Sequence, residues 1–397
     1  MSLLEIENLS VTIGDGPILR GIDLSVRAGE TVGLVGESGS GKSMAALSVM
    51  RLLPEGARAA GAIRFDGKDL LAADEAAMVR LRGNAVGMVF QEPMTALNPL
   101  KTIGEQVAEG IRWHTGASRA VAEQRAARML DRVGLPPSRF PLSRYPHQLS
   151  GGQRQRVVIA IACALGPKLL IADEPTTALD VVLQAQILDL LRELVAESRM
   201  GLLLISHDLA VVTEMADRIA IMRAGEIVDG GDTAVVLSAQ THPYTRQLAF
   251  ASTHVPAHRQ PASVTAPAKR GLPPDGHSHG DTPLLEVTSL TRDYTGQRRS
   301  LFSRDPPIRA VDDVSFTMFP GRSTALVGRS GCGKSTLARL VLALDTPTAG
   351  QIRFLGEPMT GGSDATQKRL RRDMQVVFQD PYGSFNPRHR AERLVAE

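Results

Sequence analysis

Cysteine is scarce in this sequence, since Cys163 and Cys332 are the only two among 397 residues. Two isolated cysteines match neither a disulfide framework nor the ligand spacing of a zinc site, which excludes small disulfide-stapled scaffolds and cysteine-ligated zinc modules. A reducing cytoplasm is therefore the expected compartment.

Long hydrophobic runs are also missing. No apolar segment approaches the roughly 18 residues that a membrane-spanning helix needs. The longest, at 157–166, lies between Arg156 and Lys168 and predicts a buried helix. Glu5 and Glu7 stand where a signal peptide would be basic and then apolar. Neither a membrane span nor a secretory leader is expected.

A large excess of charge of either sign is absent as well. Lysine and arginine (45) nearly balance aspartate and glutamate (42), so the formal net charge is +3. This charge does not demand a nucleic-acid partner, and we expect none. The composition, with 43% hydrophobic and 22% charged residues, is that of a soluble globular protein. The length favours two or three domains.

The chain repeats itself at long range, because three segments from its first 100 residues return in the same order after residue 283. The pairs are LLEIENLS (3–10) with LLEVTSLT (284–291), GIDLSVRAGETVGLVGESGSGKS (21–43) with VDDVSFTMFPGRSTALVGRSGCGKS (311–335), and MVFQEPMTALNP (88–99) with VVFQDPYGSFNP (376–387). Shared order with only small insertions indicates a duplicated domain of roughly 250 residues, not a short solenoid repeat.

The repeat predicts a first domain at 1–250, a linker at 251–283 and a second copy at 284–397. The linker is rich in Ala, Pro, His and Gly and lacks a helix or strand period, which is typical of flexible chain. A metal site is the less favoured interpretation of its histidines, which are His254, His258, His277 and His279. The second copy stops before any counterpart of 110–250, so we expect about one and a half domains.

Each copy contains a glycine-rich loop of the pattern G-x-x-x-x-G-K-[ST], between an apolar segment that predicts a strand and a segment that predicts a helix. Backbone N–H groups of such a loop face phosphates, and the helix points its positive end at the same charge. The lysines would reach the β- and γ-phosphates and the serines would bind Mg²⁺. The first loop comprises Gly36, Glu37, Ser38, Gly39, Ser40, Gly41, Lys42 and Ser43. The second comprises Gly328, Arg329, Ser330, Gly331, Cys332, Gly333, Lys334 and Ser335, and its cysteine predicts interference by thiol reagents.

Two adjacent carboxylates, Asp173 and Glu174, end the segment LLIADE, which is otherwise apolar. The first suits a Mg²⁺ ligand, and the second suits the base that polarises an attacking water. Such a pair says little alone, but LSGGQ at 149–153 precedes it. With that motif the chain resembles the ATP-binding cassette (ABC) ATPases. The resemblance implies an α/β P-loop NTPase cassette with a mixed sheet, an N-terminal antiparallel β part and a helical signature subdomain, duplicated with an incomplete second copy.

The resemblance also implies roles for other residues of the first copy. Gln91 in VFQEP matches the glutamine that touches Mg²⁺ and the attacking water, Asp180 in TTALD the D-loop aspartate, and His207 in LLISHD the catalytic switch histidine. The signature that clamps the γ-phosphate held by an opposing domain corresponds to Ser150, Gly151, Gly152 and Gln153.

In the second copy, Gln379 matches the same glutamine as a Mg²⁺ and nucleotide contact, and Tyr294 the aromatic residue that stacks on adenine. The first copy has Ile13 at the stacking position, which gives up some stacking energy and predicts weaker nucleotide affinity. Some members of the family carry a cysteine cluster near the end of the first domain. This chain has no cysteine between Cys163 and Cys332, so we expect no iron–sulfur cluster.

The pairing of cassettes explains why two loops occur. Cassettes of the family dimerise head to tail, and each ATP lies between the phosphate loop of one and the signature of the other. The site of Lys42 would need a second signature, and the site of Lys334 would lack its own Asp–Glu pair and histidine. We therefore expect weak or no ATPase activity from one isolated chain, unless first copies of two chains pair.

A narrower resemblance, carried by FQEPMTALNPLKTIGEQVAEG, YPHQLSGGQRQRV, DEPTTALDVVLQAQILDLL and THPYTRQL (241–248), is to importers of dipeptides, oligopeptides and nickel. It implies ATP and Mg²⁺ as cofactors and two permease subunits as partners, through which a solute-binding protein is reached. It also implies a peripheral position at the cytoplasmic face of the plasma membrane. The helical stretch 100–145 would dock on the permease, where Trp113 and Met94 either make contact or simply pack. The alternatives are a cassette that binds nucleotide without hydrolysis and, less favoured, a soluble ABC protein outside transport.

Overall fold

The computed structural model describes residues 2–91, 96–177, 179–253, 282–294, 307–328, 331–359, 372–377 and 389–396. The chain divides into two compact units, Met1–Arg259 and Gln260–Glu397. The described residues of the first unit form two hydrophobic cores, and those of the second unit form a third.

The first unit alternates strands and helices. Its strands are β1 (Ser2–Ile13), β2 (Gly16–Arg27), β3 (Thr31–Val35), β4 (Ala57–Phe65), β5 (Lys68–Asp69), β6 (Val86–Val89), β7 (Leu169–Asp173), β8 (Gly201–Ser206), β9 (Arg218–Arg223) and β10 (Glu226–Asp232). Its helices are α1 (Lys42–Met50), α2 (Glu75–Leu81), α3 (Ile103–Thr115), α4 (Arg119–Arg132), α5 (Gly151–Cys163), α6 (Val181–Ser198), α7 (Leu209–Met215), α8 (Thr233–Ala239) and α9 (Pro243–Thr253).

A six-stranded sheet with the order β10-β9-β3-β8-β7-β6 forms the centre of this unit. All neighbours are parallel except the antiparallel β9–β10 pair. Strands β3, β7 and β8 are buried along their whole length, as their continuous apolar sequences indicate. Alternate residues enter two cores, so that in β7 Leu170 faces one and Ile171 the other.

A four-stranded antiparallel sheet, β2-β1-β4-β5, covers one of these cores together with α1. Strand β1 alternates buried and accessible residues over most of its length, the pattern of a sheet with one face packed. Its last residue, Ile13, is 38% exposed and pairs with Gly16 where the chain turns into β2.

Helices α3, α4 and α5 form a helical region on the other core. Helix α3 starts with a capping box, in which Thr102 caps the Glu105 N–H and the Glu105 carboxylate accepts from the Thr102 N–H. Gly116, at φ +65°, ends it in the left-handed region that favours glycine. The helices expected at 100–145 and 157–166 are thus present, and Trp113 is 73% exposed.

The second unit contains a four-stranded antiparallel sheet with the order β12-β11-β13-β14. Its elements are β11 (Leu285–Tyr294), β12 (Ile308–Met318), α10 (Lys334–Val341), β13 (Ala349–Phe354), β14 (Glu357–Pro358) and α11 (Ala391–Ala396). The strand expected before the second loop is not formed, and residues 322–328 have no regular secondary structure. The strands that flank β3 have no counterpart among the described residues of this unit, so this segment has no partner for a ladder.

Helix α9 continues to Thr253, three residues into the expected linker at 251–283. The rest of it, with its four histidines, falls in 254–283, of which only 282 and 283 are among the described residues. In the described part of the chain, every helix is too short or too polar to cross a membrane.

Candidate functional site

The carboxyl ends of four parallel strands bring the candidate site together. In their register Val35 of β3 lies beside Ser206 of β8, and Asp173 of β7 beside Ile205. Val89 of β6 lies beside Ala172. The candidate residues lie at these strand ends or within two residues of them. Asp173 is the last residue of β7, and the other residues are Glu174, His207, Gln91 and the phosphate loop from Gly36. They therefore share one edge of the sheet, where open α/β sheets bind ligands.

The first phosphate loop runs from β3 into α1. Gly41, at φ +103°, is the N-cap of α1, a conformation that a residue with a side chain adopts only with strain. Gly36 passes so close to β9 that a Cβ there would lie 2.1 Å from the Met222 carbonyl oxygen. The glycines thus permit both the turn and the close approach, and the first N–H groups of α1 are left without helical partners.

Lys42 is buried beneath this loop, with 4% of its surface exposed. Its ammonium group donates to the carbonyl oxygens of Gly36 at 2.7 Å and Glu37 at 2.8 Å. Burial lowers the pKa of Lys42, and the carboxylates of Glu174, Asp173 and Glu37 partly oppose that shift. A cation is thereby held at the centre of a loop of backbone donors.

Asp173 and Ser43 provide oxygen atoms that suit a divalent cation. Asp173 is 4% exposed, its Oδ1 is buried without a hydrogen-bond partner, and its carboxylate is hydrogen-bonded to Ser43. Burial raises the pKa of Asp173, the Glu174 charge raises it further, and Ser43 and Lys42 oppose the rise. An orphaned carboxylate oxygen beside a serine hydroxyl is the oxygen environment that Mg²⁺ prefers, so these residues fit the ion.

Three side chains of the site contact the carboxylate of Glu174. The backbone of Glu174 lies in the left-handed region at φ +48°, which is uncommon for a residue with a side chain and is typical of functional positions. Oε2 accepts from Gln91 Nε2 at 3.1 Å and from Thr177 Oγ1 at 2.8 Å, and Oε1 lies 3.2 Å from His207 Nδ1. Burial raises its pKa, but the hydrogen bonds from Thr177 and His207, together with electrostatic attraction to His207 and Lys42, outweigh burial and hold the pKa below its ordinary value.

The signature segment forms the start of helix α5. Ser150 and Gln153 make a capping box, in which Gln153 N–H donates to Ser150 Oγ and Ser150 N–H donates to Gln153 Oε1. Ser150 and Gly151 are exposed, whereas Gly152 is buried against Leu183. Helix α6 begins nearby with Asp180 as its cap, accepting from the Leu183 N–H at 3.0 Å. The signature therefore presents a helix N-terminus to solvent.

The second loop repeats part of this geometry. Lys334 donates to the Gly328 carbonyl at 2.6 Å, and Cys332 Sγ lies 4.0 Å from Lys334 Nζ. Gly333 is the N-cap of α10 at φ +97°, as Gly41 is of α1. Ser335 follows Lys334 in the first turn of α10. Gly331 belongs to the same loop, while Arg329, Ser330, Gln379 and Met94 lie outside the described residues.

Tyr294, the expected adenine-stacking residue of this copy, is engaged from two sides. Arg292 Cζ lies 4.7 Å from the centroid of the Tyr294 ring, and the Tyr294 hydroxyl donates to Asp345 Oδ2 at 2.7 Å. Arg292 also forms an ion pair with Asp345 at 2.7 Å. The corresponding Ile13 of the first unit offers only an exposed aliphatic surface.

Two contacts of the site were missed from sequence. Thr177 orients Glu174, and it could have been noticed because it follows Glu174 by three residues in DEPTTALD. Tyr244 accepts a hydrogen bond from the Glu37 N–H at 3.0 Å, and no local pattern connects residues 207 positions apart.

A parallel sheet whose edge carries a phosphate loop, an adjacent Asp–Glu pair and a histidine, with a helical region bearing LSGGQ, defines an ATP-binding cassette of the P-loop NTPase class. The profile of the ABC transporter family matches residues 19–177 and 311–394. The chain belongs to the ABC transporter family, and the expected fold class is confirmed.

Relatives and solved structures agree with this assignment. The glutathione import ATP-binding protein GsiA of Escherichia coli strain K12 is 43% identical over 410 residues, which cover 98% of this chain and 65% of the relative. GsiA of Salmonella typhimurium strain LT2 is 45% identical over 401 residues, covering 96% and 63%. The present chain thus spans just under two thirds of the length of these relatives.

Among solved structures, the ATP-binding cassette MJ0796, a dimer bound to ADP and Pi, superposes with a TM-score of 0.52 at 30% identity. The match covers 58% of this chain and 98% of that one. CbiO1 of Clostridium perfringens, part of the ABC transporter complex cbiONQ, gives a TM-score of 0.51 at 27% identity, covering 60% and 92%.

Proposed function

We propose that this chain is an ATP-binding and ATP-hydrolysing energy-coupling subunit of an ABC importer for peptides or related small solutes. The observation that carries the proposal is the meeting of Lys42, Asp173, Glu174, His207 and Gln91 at one edge of the parallel sheet. The GsiA relatives, named as glutathione import proteins, support a small peptide as the class of cargo.

Different residues of the first unit would have different roles in phosphoryl transfer. The loop 36–43 and Lys42 would bind the β- and γ-phosphates. Ser43, Asp173 and Gln91 would hold Mg²⁺, which when bound neutralises charge that develops on the phosphates. Glu174, held ionised by its hydrogen-bond donors, accepts a proton from the attacking water. His207 orients that carboxylate through its Nδ1.

A complete site needs a second cassette. The exposed N-terminus of α5, with Ser150 to Gln153, points donors outward, where a γ-phosphate on another cassette would meet them. The MJ0796 cassette, which was solved as a dimer bound to ADP and Pi, supports pairing of two cassettes. Asp180, at the start of the neighbouring helix α6, would lie at the same contact. Nucleotide would join the cassettes and its hydrolysis would release them.

We assign two permease subunits as the partners, reached from the helical region 100–145, and through them a solute-binding protein. The chain would lie peripherally at the cytoplasmic face of the inner membrane. Trp113, Leu100 and Val121 of this region are exposed large apolar side chains, which suits contact with another protein. The second unit would supply the partner cassette or part of it.

Hydrolysis of MgATP, measured against protein concentration, tests the proposal. The chain is compared with Glu174→Gln and with Glu193→Gln, a control in which the carboxylate is exposed and pairs with Arg132 at 3.2 Å. We expect a rate that rises with concentration, is lost by about 100-fold or more in Glu174→Gln and is unchanged in the control. Nucleotide binding without hydrolysis at any concentration would favour the second candidate, a cassette that binds ATP but needs a further domain to hydrolyse it.

A further inference from the structure

The segment THPYT, residues 241–245, lies outside the residues that bind phosphate or Mg²⁺ in the proposal above, yet one of its side chains reaches the phosphate loop. Tyr244 is 1% exposed, and its hydroxyl accepts a hydrogen bond from the Glu37 N–H at 3.0 Å. Glu37 is the second residue of the first phosphate loop. The contact joins the start of α9 to the loop directly.

The phenol of Tyr244 has a fixed position. Its ring belongs to the hydrophobic core that also contains β3 and α7, and Arg223 Cζ lies 4.9 Å from the ring centroid. Its own N–H donates to His242 Nδ1 at 3.2 Å. Burial raises the pKa of the Tyr244 hydroxyl, so it stays protonated and neutral at physiological pH. A rigid, neutral group therefore meets the Glu37 amide.

The rest of the segment is anchored elsewhere. Thr245, which is fully buried, donates to Asp229 Oδ2 at 2.6 Å, and Thr241 lies 3.5 Å from the same oxygen. Asp229 belongs to β10, the edge strand that pairs with β9. The hydrogen bond of Thr245 thus joins α9 to β10, while that of Tyr244 joins the same helix to the phosphate loop.

The loop is held at a second point from the same side. The Gly225 N–H, in the turn between β9 and β10, donates to the Ser40 carbonyl at 3.0 Å. Within the loop, the Ser40 N–H donates to the Glu37 carbonyl at 3.2 Å. One contact fixes the start of the loop at Glu37 and the other its middle at Ser40, so the intervening backbone has little freedom to change shape.

We propose that Tyr244 is a positioning residue of the first nucleotide site: it fixes the Glu37 amide and so holds the loop in the shape that receives the phosphates of ATP. The inference rests on the proposed function, since it assigns part of the ATP affinity to a residue that is too deeply buried to touch nucleotide. Loss of the hydroxyl would leave a loop N–H without a partner, which favours other loop conformations.

The test compares Tyr244→Phe with Thr245→Val in the full chain. Every protein, including the reference, carries Lys334→Ala, so that the measured nucleotide affinity is mainly that of the first site. A fluorescent ATP analogue with Mg²⁺ measures affinity, and hydrogen exchange measures the amides of 36–43. We expect Tyr244→Phe to weaken binding about three- to tenfold and to speed exchange in the loop. Thr245→Val should lower thermal stability and leave affinity within about twofold.

Equal affinity of Tyr244→Phe and the reference, or equal weakening by both variants, would overturn the inference. A reference that binds no nucleotide would instead contradict the proposed function, and the two failures are therefore distinct. Should Tyr244→Phe not fold, hydrogen exchange of the Lys334→Ala reference decides: MgATP should protect 241–248 together with 36–43. Protection of the loop without any change in 241–248 would also overturn the inference.

Discussion

The imidazole Nδ1 of His207 lies 3.2 Å from Oε1 of Glu174, although the His207 side chain is 57% exposed and that of Glu174 only 10%. The other carboxylate oxygen accepts from Thr177 and Gln91. Donors from three separate segments thus converge on one carboxylate. This arrangement stabilises its ionised form despite burial, which is the property a general base requires.

Glu174→Gln should destabilise the protein at neutral pH. Because the folded-state pKa of Glu174 is depressed, its ionised form contributes stability that is present above the unfolded pKa and is lost as pH falls through the folded pKa. We expect a deficit of about 1 kcal/mol at pH 7 that persists down to the ordinary glutamate pKa of 4.5 and shrinks only as the pH falls below it. Thermal unfolding across this range measures it, and a variant as stable as the parent at pH 7 would contradict the assignment.

Asp173→Asn should have the opposite sign. The folded-state pKa of Asp173 is raised, mainly by burial, so its ionisation costs stability above that pKa, and the cost disappears as pH falls through it. Asparagine removes the buried charge, and we expect a gain of about 1 kcal/mol, or roughly 2–4 °C in Tm, at pH 7.

Asp173→Asn should also lose most of the stabilisation that Mg²⁺ and ATP give the parent. Added Mg²⁺ with ATP should raise the Tm of the parent and raise that of Asp173→Asn much less. Asp189→Asn, whose carboxylate is 61% exposed and pairs with Arg192, is the matched control and should keep the full response. An Asp173→Asn variant that is less stable than the parent at pH 7 would show that burial does not dominate at this carboxylate.

Lys42→Ala should weaken MgATP binding at the first site by at least tenfold, because the buried ammonium group is the cation within the loop. Lys101→Ala is the matched control, since Lys101 is exposed and pairs with Glu109 at 2.7 Å. Titration calorimetry in a Lys334→Ala background measures both affinities. A comparable loss in the two variants would point to a general charge effect instead of phosphate binding at Lys42.

Much of this site was predictable because each of its motifs lies at the end of an apolar segment. LLIAD forms β7 and ends at Asp173, and the helix expected after the first loop begins at Lys42. Since parallel strands end at one edge of a sheet, motifs far apart in sequence meet there. Strand order is not a local property, however, so the contact of Gln91 with Glu174 follows only once β6 and β7 are seen to be neighbours.

The contacts made by Thr177 and Tyr244 were not predicted from sequence patterns. Thr177 reaches Glu174 only because Glu174 adopts a left-handed backbone conformation, which a local pattern does not indicate for glutamate. Tyr244 reaches Glu37 because α9 packs against α7, with the Tyr244 ring in the same core as Val35 at the end of β3. The first contact depends on local backbone conformation and the second on tertiary packing, and composition and periodicity encode neither.

The segment before the second loop shows that an apolar sequence alone does not determine a strand. Its sequence STALV is apolar enough to predict a strand, as in β3, yet Leu326 is 54% and Val327 90% exposed. A buried parallel strand needs a neighbour on each side, and β3 has β8 and β9. Apolar sequence therefore predicts a strand only where its partners are also present.

The two cysteines should differ sharply toward a thiol reagent. Burial raises the pKa of Cys163 to about 12, whereas Cys332 is exposed in the second loop, 4.0 Å from Lys334 Nζ. Because the thiolate is the nucleophile, N-ethylmaleimide at pH 7.5 should add once to the native chain, at Cys332, and a second time only after unfolding. Intact-mass and peptide measurements count and locate the adducts, with Cys332→Ser as the control that stays unmodified while native. MgATP should slow the reaction, since phosphates in the loop would shield the sulfur. First labelling at Cys163 would mean that helix α5 opens far more readily than its packing indicates.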